Sequence, residues 1–220
     1  MIICFLLTIE DMKKIGLIFI LVICDLVNYA QQSGFFTDTR DGKVYKTVKI
    51  INQTWFAENL VFKADSGCWA YDDNERFAAI YGYLYIFPAA KSSCPNGWHL
   101  PINSEWEQLI NYLGGDAIAG GKLKSKHGWN SPNKGASNSV GFSAFPGGER
   151  WYGDTLITSC SGDTLINCQT YDNLGNRSFW WGSYITFRNV ASHIGVFYDS
   201  ARIHWSASNA KACYVRCVKD

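Results

Sequence analysis

The chain has 220 residues, with 20 Lys and Arg against 19 Asp and Glu and a formal net charge of +1 at pH 7, too even a balance to argue for a nucleic-acid partner. Hydrophobic residues make up 47% of it, enough for one domain of this length to bury a real core. Aromatic residues make up 15%, with nine Trp, and such residues serve both a core and a sugar- or protein-binding surface.

Residues 1–30 lie outside the expected fold. Met12, Lys13 and Lys14 followed by apolar 15–24 read as a signal peptide, with cleavage expected after Ala30. The charged region begins at Met12, which makes Met12 a candidate for the true start. The apolar run is shorter than the ~20 residues needed to span a membrane. Acylation of Cys24 would anchor the chain to a membrane, but Ile23 before it is too large for a good lipoprotein signal. The expected location is extracytoplasmic, secreted or at the cell surface.

Residues 31–40 are polar and form a lead-in to a domain over 41–220. Asp41-Gly42 signals a turn, and 44–51 then reads as a strand. Val44, Lys46, Val48 and Ile50 take one side of it, and Tyr45, Thr47, Lys49 and Ile51 the other. Asn52-Gln53 turns into a second strand, 54–59. The loop 64–76 gathers Asp72, Asp73, Asn74 and Glu75, whose oxygens are of the kind calcium takes, although a solvated acidic turn is the simpler reading.

Between 81 and 115 the local signals are densest. Pro88 starts a short helix over 89–93, and Pro95 halts it with Cys94 at its end. CPNGW is a turn, followed by extended WHLP. Trp106, Leu109, Ile110 and Leu113 recur at i, i+3, i+4 and i+7, one apolar stripe of a second helix. Asn103 is its expected N-cap and Gly114-Gly115 its stop. Residues 120–144, rich in Gly, Ser and Asn, predict long loops. GFSAFPGG at 141–148 reads as a buried strand and turn. GDTLI occurs at 153–157 and again at 162–166, each copy followed by a cysteine, which predicts a two-stranded finger over 153–168.

In the last forty residues Trp180-Trp181 is assigned to the core. Strands are expected over 194–198 and 201–205, around Asp199-Ser200. Tyr184, Arg188, His193, Tyr198, Arg202 and His204 then face outward, together with Ser192, and form the candidate ligand-binding set, because such side chains offer large contact area with few rotors. Residues 212–218 alternate as a strand that puts Cys213, Val215 and Cys217 on one face.

The run CPNGWHLPINSEW, with DGKVYKTVKI, NQTWFAENL, YGYLY, GGKLKS, GFSAFPGG, Trp180-Trp181 and the terminal RCVKD, resembles the Fibrobacter succinogenes major paralogous domain family over nearly all of 41–220. The resemblance implies a bacterial, secreted or surface-exposed protein. It implies an α+β fold similar to the C-type lectin fold, in the variant shared with formylglycine-generating enzymes. Such a fold has two helices, short antiparallel strands and long loops, is stapled by disulfides, and pairs its first and last strands, here 44–51 beside 213–218. Relative to the family, 153–168 is an insertion, and Ile102 replaces a Ser that would complete a capping box with Glu105. The EPN, QPD and WND triplets of calcium-binding lectins are absent.

Six cysteines follow Ala30, and an even number in an exported chain suggests disulfides. Cys213 and Cys217 stand about 13 Å apart along a strand, beyond the roughly 7 Å that a bridge tolerates, so their partners differ. The resemblance implies Cys94–Cys217. Cys160–Cys168 is the economical local bridge, which leaves Cys68 and Cys213 for each other by elimination.

No catalytic constellation stands out. The histidines at 99, 127, 193 and 204 show no metal-ligand spacing, and GxSxG, P-loop and GxGxxG motifs are missing. The catalytic motif of formylglycine-generating enzymes has no match, and fold likeness does not transfer function. No cofactor is expected. The expected role is a non-catalytic recognition or adhesion module that binds surface glycan or protein through its loops and C-terminal strands. Alternatives are a structural module of a surface assembly, or the variable binding protein of a diversity-generating retroelement with 183–210 as the diversified stretch.

Overall fold

The computed structural model describes residues 32–151, 170–186 and 189–220. The expected signal peptide, the 153–168 finger with Cys160 and Cys168, and Arg188 lie outside the described residues. The fold is α+β, with four α-helices and several small antiparallel sheets.

A five-stranded sheet comes first. It is built from β1 (Gln32–Thr37), β2 (Val44–Ile50), β3 (Gln53–Phe56), β6 (Trp98–His99) and β13 (Val218–Lys219), in the order β1-β2-β3-β13-β6. The strand expected over 44–51 is present, but it does not lie beside the C-terminal strand. β3 intervenes, pairing Val48 with Trp55 on one side and Val218 with Trp55 on the other. The tight turn at Ile51 folds β3 straight back along β2, so β3 takes the neighbouring position first. β2 buries both of its faces, Tyr45 into one core cluster and Val48 and Ile50 into another.

A two-stranded ribbon of β4 (Cys68–Trp69) and β5 (Leu84–Tyr85) brackets the first helix, α1 (Glu75–Tyr81). This helix begins at the end of the loop expected over 64–76. Asn74 caps it, its Oδ1 accepting the Arg76 N–H at 3.1 Å. The acidic side chains around it are already engaged: Asp73 accepts the Tyr171 hydroxyl at 2.6 Å, and Glu75 binds Lys63 and the Tyr83 hydroxyl. Helix α2 (Phe87–Ser93) carries Pro88 in its first turn and ends at Cys94.

Helix α3 (Asn103–Tyr112) buries Trp106, Leu109 and Ile110, with Leu113 just beyond it, the stripe its spacing predicts. Its N-cap is Ile102, not Asn103. Isoleucine has no acceptor to offer, so only half of a capping box survives, with Glu105 Oε2 accepting the Ile102 N–H at 2.9 Å. Asn103 instead accepts the Ser192 hydroxyl at 3.0 Å. Helix α4 (Asp116–Leu123) was not expected, because Gly120 and Gly121 are poor helix residues. They are there for close approach: a Cβ on Gly120 would stand 2.3 Å from the Arg202 carbonyl oxygen. The described residues therefore hold four α-helices, the two expected and two more. The 141–148 stretch buries Phe142 and Ala144 but makes only isolated bridges.

The remaining strands are β7 (Glu149–Trp151), β8 (Thr170–Asp172), β9 (Arg177–Ile185), β10 (Ala191–Phe197), β11 (His204–Ala207) and β12 (Lys211–Ala212). They form two sheets, β11-β10-β9 and β12-β7-β8. The chain from 211 to 218 runs buried through the middle of the molecule. Ala212, Tyr214 and Val218 enter one core cluster, while Cys213, Val215 and Cys217 enter the other.

Cys94 and Cys217 are bonded, with Cα atoms 5.8 Å apart. Cys68 and Cys213 are not; both are free thiols. The reason is register. Cys68 pairs with Tyr85 across β4–β5, and Tyr85 bridges Cys213 on its other side. The Tyr85 strand thus separates the two cysteines by two strand spacings, about 9.5 Å, too far for a bridge.

Non-reducing peptide mapping should recover Cys94 linked to Cys217, with Cys68 and Cys213 as thiols. Because the bridge closes a sequence separation of 123 residues, Cys217→Ser should lower unfolding free energy in urea by about 2–5 kcal/mol. A mapped Cys68–Cys213 bridge would contradict the register described above.

Candidate functional site

The outer half of the β9-β10-β11 sheet concentrates the half-exposed aromatic and basic side chains. The register puts Phe197 opposite Arg177 and Gly195 opposite both Phe179 and His204. Strand alternation then places Arg177, Phe179, Phe197 and His204 on one face. His204 stacks on Phe197 with centroids 3.9 Å apart and planes 11° off parallel, and the Arg177 guanidinium lies over the Phe197 ring at 4.8 Å. The result is a cation–aromatic–imidazole column across three strands. Gly195 lets the column close up, since a Cβ there would meet the Phe179 ring at 2.6 Å.

The hairpin end that carries this column is firmly held. Lys124, fully buried, donates its Nζ to the Phe197 carbonyl at 2.8 Å and the Ser200 carbonyl at 3.0 Å. Burial pulls its pKa down to about 8, with Asp199 acting in the opposite direction. The Lys134 N–H donates to the Tyr198 carbonyl at 2.7 Å, and the Ile203 N–H to the Asp116 carbonyl at 2.8 Å. Arg202 projects from this tip and is exposed, while Tyr198 is half-buried.

Beside the column lies a buried charged floor. Lys211 pairs with Glu149, and Asn173 donates to the same carboxylate at 2.9 Å. The Lys211 ammonium sits 4.2 Å from the ring centroids of both Trp151 and Phe179. The Arg150 guanidinium stacks on Trp69 at 3.9 Å.

The expected ligand-binding residues therefore divide. Arg202, His204 and Tyr198 come together at the hairpin end. Tyr184, 50% exposed, stands at the opposite end of β9, since Ile185 pairs with Ala191 while Arg177 pairs with Phe197; six residues of strand separate the ends by about 20 Å. His193 is not a surface residue: it is 1% exposed, edge-on to Phe179 and Trp181. Ser192 is likewise buried, on Asn103. Both go inside because α3 and the charged floor cover the two faces of β10 at this point, a tertiary fact without local signal. Phe197, Arg177 and Lys211 were missed. The period-2 run His193, Gly195, Phe197, with a glycine inside a strand, was the available signal for a close-packed face.

Two histidines titrate in opposite senses. Burial, helped by the nearby Lys211 charge, lowers His193 from 6.5 to about 4, and its ring nitrogens make no well-formed hydrogen bond. His99 is desolvated too, but it stands between two carboxylates, with Nδ1 2.6 Å from Asp220 and Nε2 3.0 Å from Glu105, and these raise its pKa overall. Burial and the charges of Arg202 and Arg177 lower His204, partly offset by Asp199. Among the described residues, no group of three His, Cys, Asp or Glu side chains could hold a metal ion, and no helix is long and apolar enough to cross a membrane.

The family model of the Fibrobacter succinogenes major domain matches residues 48–219. No curated protein and no solved structure matches the chain.

A histidine depressed in the native state resists protonation there. Native His193 binds fewer protons than the unfolded chain between about pH 6.5 and about 4, so stability should fall on acidification through that window, by roughly 3 kcal/mol at most. His99 acts the other way, contributing stability below the ordinary histidine pKa and losing it as pH rises through its raised value. In urea denaturation at stepped pH, His193→Leu should flatten the loss between pH 6.5 and 4, whereas His99→Gln should flatten the change above it. An unaltered acid limb in His193→Leu would contradict the buried, neutral assignment.

Proposed function

This chain belongs to the Fibrobacter succinogenes major domain family, and from that premise we propose that it is an exported, non-catalytic recognition or adhesion module of the cell surface, built on a C-type-lectin-like fold. Its partner is a surface glycan or protein, engaged through the β9-β10-β11 face and the adjoining hairpin. The observation that carries this reading is the Arg177–Phe197–His204 column, half-exposed yet pre-ordered by cross-strand stacking and by the buried Lys124 under the turn. Pre-ordered aromatic and guanidinium groups lose little freedom on contact, which makes them effective binding anchors.

Recognition rather than catalysis is favoured by what the polar groups are already doing. His99 is clasped by Asp220 and Glu105, His193 is enclosed by aromatic edges, and the Glu149 carboxylate is held by Lys211 and Asn173. His193 and Glu149 are thereby closed off from solvent, each 1% exposed, whereas a general acid or base must come within hydrogen-bond reach of a substrate. Export is supported by the Lys13-Lys14 and apolar run of the sequence and by the Cys94–Cys217 bridge, a bond typical of oxidising compartments.

A glycan array run beside a surface-protein pull-down tests the role. His204→Ala should keep the melting temperature within a few degrees and weaken capture by over tenfold, about 1.4 kcal/mol. If deleting 153–168 abolishes capture while His204→Ala binds normally, the binding site lies on the insertion and not on this face.

A further inference from the structure

We infer that the hairpin end of the β9-β10-β11 face is a site for an anionic saccharide, one bearing a carboxylate or a sulfate; this rests on the recognition role proposed above and narrows its ligand. Two exposed guanidinium groups, Arg177 and Arg202, lie near enough to His204 for their charges to act on it. Arg177 reaches it along the stacked column through Phe197, and Arg202 precedes it by two residues at the tip. Among the described residues neither makes an ion pair: the carboxylate bridges go to Arg40, Lys63, His99 and Lys211. Both positive charges are felt at His204, where Asp199 is the carboxylate that opposes them among the described residues. The patch therefore carries surplus positive charge although the chain as a whole is nearly neutral.

The geometry suits a charged sugar. A guanidinium lying on an aromatic ring keeps its planar fork free for two parallel hydrogen bonds to a carboxylate or sulfate, and the stacking fixes its orientation beforehand. The half-exposed edges of Phe197 and His204 beside it offer apolar surface for a sugar ring. Arg177 on β9 and His204 on β11 stand two strand spacings apart, about 10 Å, so the patch addresses a compact charged unit rather than a long extended chain. The turn is already held by Lys124 and by its backbone bonds to 134 and 116, so the site needs no rearrangement to receive it.

Biolayer interferometry on the full exported chain tests this with four immobilised probes: polygalacturonate, heparin, neutral dextran and a polyglutamate peptide. The expected result is binding to polygalacturonate, to heparin or to both, weakening steeply with salt, with dextran and polyglutamate bound at least tenfold more weakly. The ranking of the first two probes separates carboxylate from sulfate recognition. Arg177→Gln and Arg202→Gln should each reduce that binding at least tenfold with unchanged melting temperature. Lys126→Gln, an exposed control on a separate loop, should leave it unchanged. Acid-polymer binding that survives both arginine variants overturns the inference, as does polyglutamate binding as tight as that of the acidic saccharides. Dextran binding that ignores the arginines also overturns it, yet leaves the recognition role standing. No saccharide bound and no surface protein captured would remove both.

Discussion

A single guanidinium, fully buried and with no carboxylate in salt-bridge contact among the described residues, ties the structure together. Arg216 donates its Nε to Asn59 Oδ1 at 2.6 Å, its Nη1 to the carbonyls of Phe56 and Phe142, and its Nη2 to the Ser143 carbonyl at 3.0 Å, while its plane lies over the Phe142 ring. Burial lowers its pKa to about 9, which still leaves it charged at neutral pH. A buried charge is tolerated only when its donors are satisfied, so every one of these oxygens is constrained in place. Asn59 extends the constraint, accepting the Trp180 indole N–H at 2.8 Å and donating to the Tyr81 carbonyl at 2.6 Å. One side chain thereby fixes β3, the end of α1, the 142–143 stretch and β9.

The segment around Arg216 transmits that constraint to the β9-β10-β11 face proposed for binding. Alternate residues from 212 to 218 serve two core clusters, and the same division recurs at Trp180 and Trp181. Tyr214 exchanges backbone hydrogen bonds with β9, donating to the Phe179 carbonyl and accepting from the Trp181 N–H. Cys217, next to the arginine, is stapled to α2. β9 is thus anchored from behind by the buried 211–218 segment, and β10 and β11 hang from β9. The column on the outer face is half-exposed chemistry mounted on a rigid support, the usual arrangement for a site that must bind without collapsing. β10 itself is buried from 191 to 196. Within 183–210, tolerance to substitution is therefore confined to the strand ends, the hairpin tip and β11.

Local signals were legible where the fold obeys local rules. The stripe on α3, Pro88 in α2, the strand at β2 and the alternation of 213, 215 and 217 could all be read from spacing. The misses share one cause, which is that distant chain decides them. Gly120 and Gly121 look like loop residues until Arg202 and Gly135 are seen pressing on them. Asn103 looks like a cap until Ser192 claims it. Cys68 and Cys213 look like a pair until Tyr85 is found between them. His193 reads as surface from its own neighbours and is interior because helices and charged strands cover both faces of β10. Of the proposed binding face, His204 and Arg202 could be nominated from residue type, while Arg177 and Phe197 depended on register, which sequence spacing alone does not fix.

Denaturant unfolding of Arg216→Met at pH 7, followed by near-UV circular dichroism, tests the central role of the buried guanidinium most directly. Methionine restores much of the lost volume but takes the arginine donor from the carbonyls of Phe56, Phe142 and Ser143 and leaves Asn59 with Trp180 alone of its two donors. With each unsatisfied buried acceptor costing about 1–3 kcal/mol, the variant should lose at least about 3 kcal/mol together with much of its fixed tryptophan signal. Combining it with Asn59→Ala should cost clearly less than the sum of the two separate losses, because both remove the same network. An Arg216→Met variant within about 0.5 kcal/mol of wild type, its tryptophan signal intact, would contradict the account.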